Sequence, residues 1–505
     1  MKRRFLAISI LVCSLFLVCA PGSSVKAQTD EITWDPPINL SNSEPTSTDP
    51  FLLADPAGVA HLFWAEKAGP QEGNQADTIM YTSWDGITWT RPVDIFFTPE
   101  DEGNPKATHP RAVLDENGRI HLVWMTEPNA PNNAVKYSSA NAWEAGSASA
   151  WQPSVTLAAD LTGQKYSIDI GYNPQQGLHL LYARGTGAAS GGRSVAYMRS
   201  MDGGETWTEP VDIYRISDLK RGASDTRLLL EPPNRIYASW TEWDDSGNGQ
   251  AIVFTRSLDN GATWERARPL DVTIGLEYER DWNNMALIGD GQIVSIWEGG
   301  WRAYRGAMYS YDAGVTWTEP IDVFPWLIGD NGSVEFVRDS NNVLHVFLAN
   351  RVREGNLNRG ERAGLWHSVW EGGTRWREPN LASLRGNDEN MTNPKVTIVN
   401  GNRIVAAWYR SQVFEIIVMT GRIENAPEIP SSAWVTPTPP LPAGTPVETA
   451  TPQVAESAGA TAIPTNFSNP VVPNNPGSKV LLGLLPSILV VTSIVIIWQR
   501  KIRGK

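Results

Sequence analysis

The sequence predicts an all-β fold, a β-propeller of four-stranded antiparallel blades, and three observations support this. Short apolar stretches bounded by Gly, Asn, Asp or Pro recur along the chain, which is the pattern of β-strands. Between residues 28 and 423 no amphipathic helix is evident. A tryptophan returns at a near-constant spacing of 53 residues (264 to 317) to 62 residues (89 to 151), at Trp34, Trp89, Trp151, Trp207, Trp264, Trp317 and Trp376. A period of this length with four short strands is typical of propeller blades.

Each repeat unit contains four predicted strands, and the two ends of the repeat region complement each other. In the first full unit these are an inner strand at 51–55, a His-x-x-Trp strand at 61–64, an Ile-x-Tyr strand and a Trp-x-x-Pro strand. Trp34 begins a fourth strand without the preceding three, whereas residues 394–423 supply three strands without a fourth. We therefore predict that both termini complete one blade and close the ring. This gives seven blades; six is the alternative, if the weak second unit at 134–157 is assigned wrongly.

Both ends of the chain predict export and a membrane anchor. The N-terminus has a basic start, an apolar stretch and a small-residue cleavage site, as signal peptides do. Near the C-terminus, a Pro/Thr/Ala-rich stretch that cannot bury a core precedes an apolar segment long enough to cross a membrane. The predicted order is signal peptide (1–27), extracellular propeller (28–423), disordered linker (424–478), transmembrane helix (479–499) and basic cytoplasmic tail (500–505).

Composition narrows the classes of partner. The formal net charge is −13, and nucleic acid is not expected as a partner because it requires a basic surface. The chain has 6 His and 2 Cys, and both Cys13 and Cys19 lie in the predicted signal peptide. The sequence therefore predicts no metal site, no cofactor and no disulfide in the mature protein.

A turn motif recurs between the third and fourth predicted strands. Residues 200–207 read Ser-Met-Asp-Gly-Gly-Glu-Thr-Trp, and copies stand at 257–264, 310–317 and, one residue shorter, 83–89. This motif resembles the Asp box of the sialidase (neuraminidase) family, whose members carry BNR repeats, and the resemblance covers the repeat region. The Asp of such a turn accepts backbone hydrogen bonds, the Gly takes a left-handed conformation and the Trp packs between sheets. We therefore expect four structural rather than catalytic carboxylates: Asp85, Asp202, Asp259 and Asp312.

Four histidines recur at one position of the His-x-x-Trp strand, whereas a catalytic histidine is expected once. They are His61, His121, His179 and His345. We predict that they serve blade packing or buried hydrogen bonds.

The resemblance implies a demanding set of catalytic groups: three arginines that clamp a carboxylate, an Asp acid–base, and a Tyr nucleophile activated by a Glu. Candidates here are Arg111, Arg227, Arg410, Tyr409, Glu242 and Asp225. The family's Arg-Ile-Pro motif is absent, and its nearest counterparts are residues 109–111 and 226–227. The sequence therefore favours a non-catalytic binding module; the alternative is an exo-α-sialidase or related glycoside hydrolase acting on acidic sugars.

Three tryptophans lie outside the repeat pattern, in loops of adjacent units that we predict to share one face. Charged residues surround them, and indole rings beside charged groups suit sugars, which have apolar faces and polar rims. The alternative is that these indoles belong to the core. We predict a site for a glycan or a surface protein ligand, formed by Trp243, Trp282, Trp301, Arg280, Asp281 and Glu298.

Overall fold

The computed structural model describes the repeat region with short gaps. It describes residues 32–41, 46–67, 77–97, 107–126, 134–159, 168–188, 191–272, 280–299, 304–328, 334–352, 364–383, 391–411 and 413–434. Within them the fold is all-β, and the helices are two short 3-10 turns, Ala142–Glu144 and Ala148–Ala150.

The strands follow one another in chain order. They are β1 (Ile32–Trp34), β2 (Ile38–Asn39), β3 (Ser47–Ala54), β4 (Ala60–Glu66), β5 (Thr78–Trp84), β6 (Val93–Phe97), β7 (Thr108–Leu114), β8 (Arg119–Thr126), β9 (Ala134–Asn141), β10 (Val155–Ala158), β11 (Ile168–Asn173), β12 (Gly177–Arg184), β13 (Ser194–Ser200), β14 (Val211–Arg215) and β15 (Arg221–Glu231). They continue as β16 (Arg235–Asp244), β17 (Gly249–Ser257), β18 (Arg268–Val272), β19 (Asp281–Gly289), β20 (Gln292–Glu298), β21 (Tyr304–Ser310), β22 (Ile321–Ile328), β23 (Glu335–Arg338), β24 (Leu344–Val352), β25 (Gly364–Gly372), β26 (Arg375–Trp376), β27 (Asn380–Ser383), β28 (Met391–Val399), β29 (Arg403–Arg410) and β30 (Glu415–Ile423).

These strands form seven antiparallel blades. Blades 1 to 5 are consecutive groups of four, from β3–β6 to β19–β22. Blade 6 contains β23, β24, β25 and β27, with β26 added to β25, and a short pairing of β22 with β24 continues blade 5 into it. Blade 7 contains β28, β29 and β30 with β1 and β2 outside. The protein is a seven-bladed β-propeller.

The predicted closure of the ring is confirmed. Trp34 pairs with Gly421, and Ile38 pairs with Val418, so the N-terminal strands complete the blade built by the last three. The Trp34 ring meets Phe347 of blade 6 edge-on at 6.3 Å. The weak second unit forms β9 and β10 of blade 2, so the count is seven rather than six.

The repeated histidines form buried hydrogen bonds inside their own blades, as predicted. Each Nδ1 lies opposite a polar atom of the third strand: His61–Tyr81 (2.7 Å), His121–Tyr137 (2.8 Å), His179–Tyr197 (2.6 Å) and His345–His367 (2.9 Å). All four imidazoles are buried, and burial lowers the pKa of His179 to about 4. Their function is structural.

The Asp-box carboxylates accept hydrogen bonds from within their own turns. Asp202 accepts hydrogen bonds from the Thr206 amide (2.9 Å) and the Ser200 hydroxyl (2.7 Å). These bonds, with that of the Thr206 hydroxyl, lower its pKa to about 2. Asp259 and Asp312 repeat this pattern, and Asp85 accepts two backbone amides.

The glycine of the box brings the turn against the preceding blade. Gly204 has a φ of 88°, and a Cβ there would lie 1.9 Å from the Tyr137 hydroxyl. The box Trp207 meets the same Tyr137 ring edge-on at 5.5 Å. The motif therefore joins neighbouring blades as well as strands.

Residues 424–434, which the sequence assigns to the linker, lie against the body; we name them the C-terminal strap. The strap crosses blades 6, 7 and 1 through Asn341 Nδ2 to Asn425 O (3.0 Å), Ile429 N to Asn400 O (2.8 Å), Ser432 N to Pro56 O (2.8 Å) and Trp434 Nε1 to Asp55 Oδ2 (3.0 Å). Its last residue reaches blade 2, where the Trp434 and Trp143 rings are 6.1 Å apart.

The predicted signal peptide, the rest of the linker and the predicted transmembrane helix lie outside the described residues. Within the described residues, no helix has the length and hydrophobicity needed to cross a membrane.

Candidate functional site

The two ends of the propeller differ, and strand direction defines them. At one end the inner strands begin and the second strands finish, so that Ser47 faces Glu66 and Met391 faces Arg410. We name this end the mouth. The opposite end, which carries the turns between the first two strands and the Asp boxes, is the underside. The predicted loop-bearing face corresponds to the mouth.

Among the described residues, the inner strand carries a bulge near the mouth in five blades. At each bulge the register shifts and a residue other than glycine has a positive φ: Asp49 (53°), His109 (53°), Asp225 (57°), Trp282 (47°) and Asn393 (48°). Asp, Asn and His tolerate this conformation, whereas a bulky side chain there is an outlier. Bulges re-aim side chains and are frequent beside functional sites. In blade 5 the residue at this strained position is Trp282.

Trp282 contacts Trp243 at the junction of blades 4 and 5. The ring centroids are 5.7 Å apart and the planes meet at 70°, an edge-to-face pair. Trp243, at the end of β16, is buried, whereas Trp282 is half-buried. The structure thus brings these two predicted tryptophans together.

Arg280 and Asp281 lie next to this pair. Arg280 forms an ion pair with Asp271 and lies 6.0 Å over the Trp297 ring. Asp281 is buried against Gly249, where a Cβ would come within 1.7 Å of its carboxylate. Four of the six predicted binding residues therefore cluster at one place, and their contact with a ligand stays a prediction.

The remaining two predicted binding residues differ in position. Glu298 is fully buried, where it accepts hydrogen bonds from Arg305 Nη2 (3.0 Å) and Asn350 Nδ2 (3.3 Å). Such an arrangement ties blade 5 to blade 6, since Asn350 belongs to β24. Trp301 lies outside the described residues.

A set of equivalent inner-strand residues forms a second cluster, on the propeller axis. In every blade the second strand carries an aromatic residue or a leucine at one repeated position. The inner-strand residue of this set pairs with the residue just before that position. The set is Phe51, Arg111, Asp169, Arg227, Asn284, Glu335 and Lys395. Arg111, Arg227 and Lys395 come from blades 2, 4 and 7, yet each interacts electrostatically with the others. They must therefore converge at the axis; with Asp169, Glu335 and Asp225 we name them the axial cluster.

The axial cluster balances its own charges. Arg227 Nη2 lies 2.6 Å from Asp225, and Lys395 pairs with Glu335. Asp169 accepts the Leu228 amide at 2.8 Å and interacts with both arginines. The cations are thus engaged by acids of the same chain.

The surroundings shift the pKa values of this cluster. Burial raises the pKa of Asp225 to about 6, against the opposing effect of Arg227. Burial likewise raises the pKa of Asp169, and it lowers the pKa values of Arg111 and Lys395. Perturbed carboxylates near a mouth are a property of functional sites and of structural ion networks alike.

The other predicted catalytic residues do not join the axial cluster. Arg410 pairs with Glu415 of its own hairpin, and Tyr409 packs in the core between blades 7 and 1. Glu242 accepts a hydrogen bond from the Tyr214 hydroxyl (2.6 Å) and pairs with Arg221. Burial and Glu242 raise the pKa of Tyr214, which opposes the ionisation a nucleophile requires.

Sequence reasoning found Arg111, Arg227 and Asp225 but missed the rest of the axial cluster. Lys395 could have been found, because Asn393-Pro394-Lys395 parallels His109-Pro110-Arg111. Asp169 and Glu335 follow no such dipeptide, so only the register of the sheet reveals them. No group of three or more His, Cys, Asp or Glu suited to a metal occurs among the described residues.

Fold and turns together define the class: a seven-bladed β-propeller with Asp-box turns. Its structural neighbours include sialidases and related propeller proteins. A protein of unknown function from Dyadobacter fermentans is 14% identical, covering 78% of this chain and 99% of that one, with a TM-score of 0.47. A Hadza microbial sialidase is 15% identical (77% and 68%; TM-score 0.45), and the intramolecular trans-sialidase from Ruminococcus gnavus is 13% identical (77% and 96%; TM-score 0.42). No protein-family model matches the chain, and no curated protein matches its sequence.

Proposed function

We propose that this propeller is a non-catalytic glycan-binding module whose contact surface contains Trp282 and Trp243 at the mouth. The observation that carries the proposal is the backbone of Trp282. It holds a left-handed conformation at a position where four other blades place Asp, His or Asn. Such a conformation costs on the order of 1–3 kcal/mol for a residue other than glycine, and strain of this kind clusters at binding sites.

The chemistry of the Trp282 surroundings suits a sugar. The edge of one indole supports the other, so the half-buried Trp282 ring is held in a fixed orientation. A fixed aromatic face takes the apolar C–H face of a pyranose, and nearby polar groups then contact its hydroxyls. Arg280, which is partly exposed and lies two residues before Trp282, supplies such a group.

The axial cluster supports a binding role over a catalytic one. A carboxylate clamp needs arginines that are open to the substrate, whereas Arg227 is held by Asp225 and Arg410 by Glu415. The predicted export signal and the predicted C-terminal helix support display of this module on the outer side of the cell membrane.

Glycan-array binding by the full-length protein tests the proposal, with Trp282→Asn as the decisive variant. Asparagine restores a residue that tolerates the left-handed conformation, as Asn393 does in blade 7, so the fold is kept while the ring is lost. We expect the bound glycans to be lost. Trp143→Asn is the control, because it removes an indole from another Trp pair, on the underside. Equal binding by Trp282→Asn and the parent protein would refute the proposal.

A second candidate function is hydrolysis of an acidic sugar at the axial cluster. It is favoured by the convergence of Arg111, Arg227 and Lys395 beside Asp225, whose pKa of about 6 suits a general acid. Fluorophore release from a sialoside, abolished by Asp225→Asn, would support it. If the parent protein binds glycans but releases no fluorophore, hydrolysis is rejected and the binding function is retained.

A further inference from the structure

A cleft separates blades 2 and 3 near the underside, away from the mouth. Its volume is 540 Å³, within the size range of small-ligand sites. One wall is the third and fourth strand region of blade 2, with Tyr137, Pro153 and Val155. The other wall is the Asp box of blade 3, residues 203–205.

Blade 2 lacks an arginine that the next two blades place against the following Asp box. In blade 3, Arg199 Nη1 donates to the carbonyl of Asn260 in the following box (2.5 Å); in blade 4, Arg256 Nη1 donates likewise to Ala313 (2.5 Å). Ser139 occupies the same register in blade 2, since it pairs with His121 as Arg199 pairs with His179. The shorter Ser139 side chain therefore leaves open to the cleft some of the volume that an arginine takes up in blades 3 and 4.

The carbonyl that such an arginine would meet is also open. Gly203 is the box residue equivalent to Asn260 and Ala313. Within the described residues no hydrogen bond reaches its carbonyl, and a Cβ on it would meet nothing within 4 Å.

Two opposite charges line the cleft without pairing. Arg119 donates through Nε to Ser139 (2.9 Å), and its terminal nitrogens have no partner among the described residues. Glu205 forms no ion pair in this part of the chain, and its distance from Arg119 exceeds an ion-pair contact. Both groups are thus available to a ligand that lies between them.

We propose that this inter-blade cleft is a second ligand site, which binds a neutral saccharide. A pyranose accepts hydrogen bonds from Arg119, donates to Glu205 and the Gly203 carbonyl, and lays its apolar face on Pro153 and Val155. Val155 is 50% exposed, so covering it with a sugar removes apolar surface from water. The mixture of donors, acceptors and apolar wall, with no net charge, favours a polyhydroxylated ring over an ion.

Saturation-transfer NMR and calorimetry on the full-length protein test the site, in a detergent whose headgroup is not a sugar. The probes are cellotriose, maltotriose and N,N′,N″-triacetylchitotriose, with glycylglycine as a zwitterionic comparison. All measurements use the Trp282→Asn background, so that binding at the mouth does not contribute. We expect at least one trisaccharide to bind and glycylglycine not to bind.

Ser139→Arg is the decisive variant, because it restores the arginine of blades 3 and 4 and directs a guanidinium at the Gly203 carbonyl, where the sugar is proposed to bind. Blade 4 already holds arginines at the positions equivalent to Arg119 and Ser139, namely Arg235 and Arg256. The fold therefore accommodates two arginines at these positions. We expect trisaccharide binding to disappear while the melting temperature is kept or rises. Glu205→Gln should weaken binding about tenfold, as the loss of one charged hydrogen bond does. Glu319→Gln, the same change at an exposed position of blade 5, should leave binding unchanged.

Three outcomes would overturn the proposal. One is that no trisaccharide binds; another is that binding survives in a folded Ser139→Arg protein, which would place the sugar elsewhere. The third is binding of glycylglycine alone, which would keep the cleft as a site but reject its assignment to saccharides.

Discussion

The indole Nε1 of Trp434 donates a hydrogen bond to the Asp55 carboxylate at 3.0 Å, linking the last described residue of the chain to the first full blade. Asp55 also accepts the Val59 amide (2.8 Å), and these bonds, with the His61 contact, lower its pKa despite burial. The strap therefore spans the seam where the two termini close the ring. The ring is thus closed twice, once by the pairing of β1 with β30 and once by the strap.

We predict that removal of the strap weakens the closure. Trp434→Ala deletes one part-buried hydrogen bond and a ring that covers Gly118, and should lower the free energy of unfolding by roughly 1–3 kcal/mol. Scanning calorimetry measures the shift, with Ile87→Ala, an 83% exposed side chain, as a control expected to stay within about 0.5 kcal/mol. An unchanged melting temperature for Trp434→Ala would show that the strap is not a closure.

We predict that two neighbouring box glycines respond differently to alanine. Both have positive φ, 71° at Gly203 and 88° at Gly204, so both substitutions incur a conformational cost of about 1 kcal/mol. Only Gly204→Ala also drives a Cβ into the Tyr137 hydroxyl. Urea unfolding should show a clearly larger loss for Gly204→Ala, at least about 1 kcal/mol beyond Gly203→Ala. Equal losses would mean that the box does not press on the preceding blade.

Asp225 should make the protein less stable as pH rises from about 4 to 6. Its folded-state pKa is about 6, whereas the unfolded chain ionises it near 4. In this window the folded state holds the proton and the unfolded state does not, so rising pH favours unfolding, by about 2–3 kcal/mol in total. Urea unfolding between pH 4 and 8 should give a flatter profile for Asp225→Asn; superimposable slopes would contradict the prediction.

The buried histidines should make the protein less stable as pH falls. Burial lowers the pKa of His179 to about 4 and that of His367 to about 3, both below the value of about 6.5 in an unfolded chain. The unfolded state therefore takes up protons first as pH falls below about 6.5, and stability is lost down to the folded-state values. His179→Gln should reduce this acid sensitivity in the same titration. If His179→Gln loses as much stability as the parent protein when the pH falls below about 6.5, the prediction is wrong.

The sequence predicted the blades well because blade contacts are local and periodic. Trp207, the box aspartates and the repeated histidines each act within a blade or against the next one, so a repeat reveals them. The axial cluster was only partly predicted because Asp169 and Glu335 meet partners on the inner strands of neighbouring blades, through registers that a single sequence does not display. The left-handed Trp282 was suspected as a residue outside the pattern, but its strain becomes visible only in the backbone.

The route of the strap determines at which end of the propeller the described residues stop. Its contacts at Asp55, Asn400 and Asn341 all belong to turns on the underside, so residue 434 lies on the surface opposite Trp282. The strap and the Trp282–Trp243 pair therefore lie at opposite ends of the propeller.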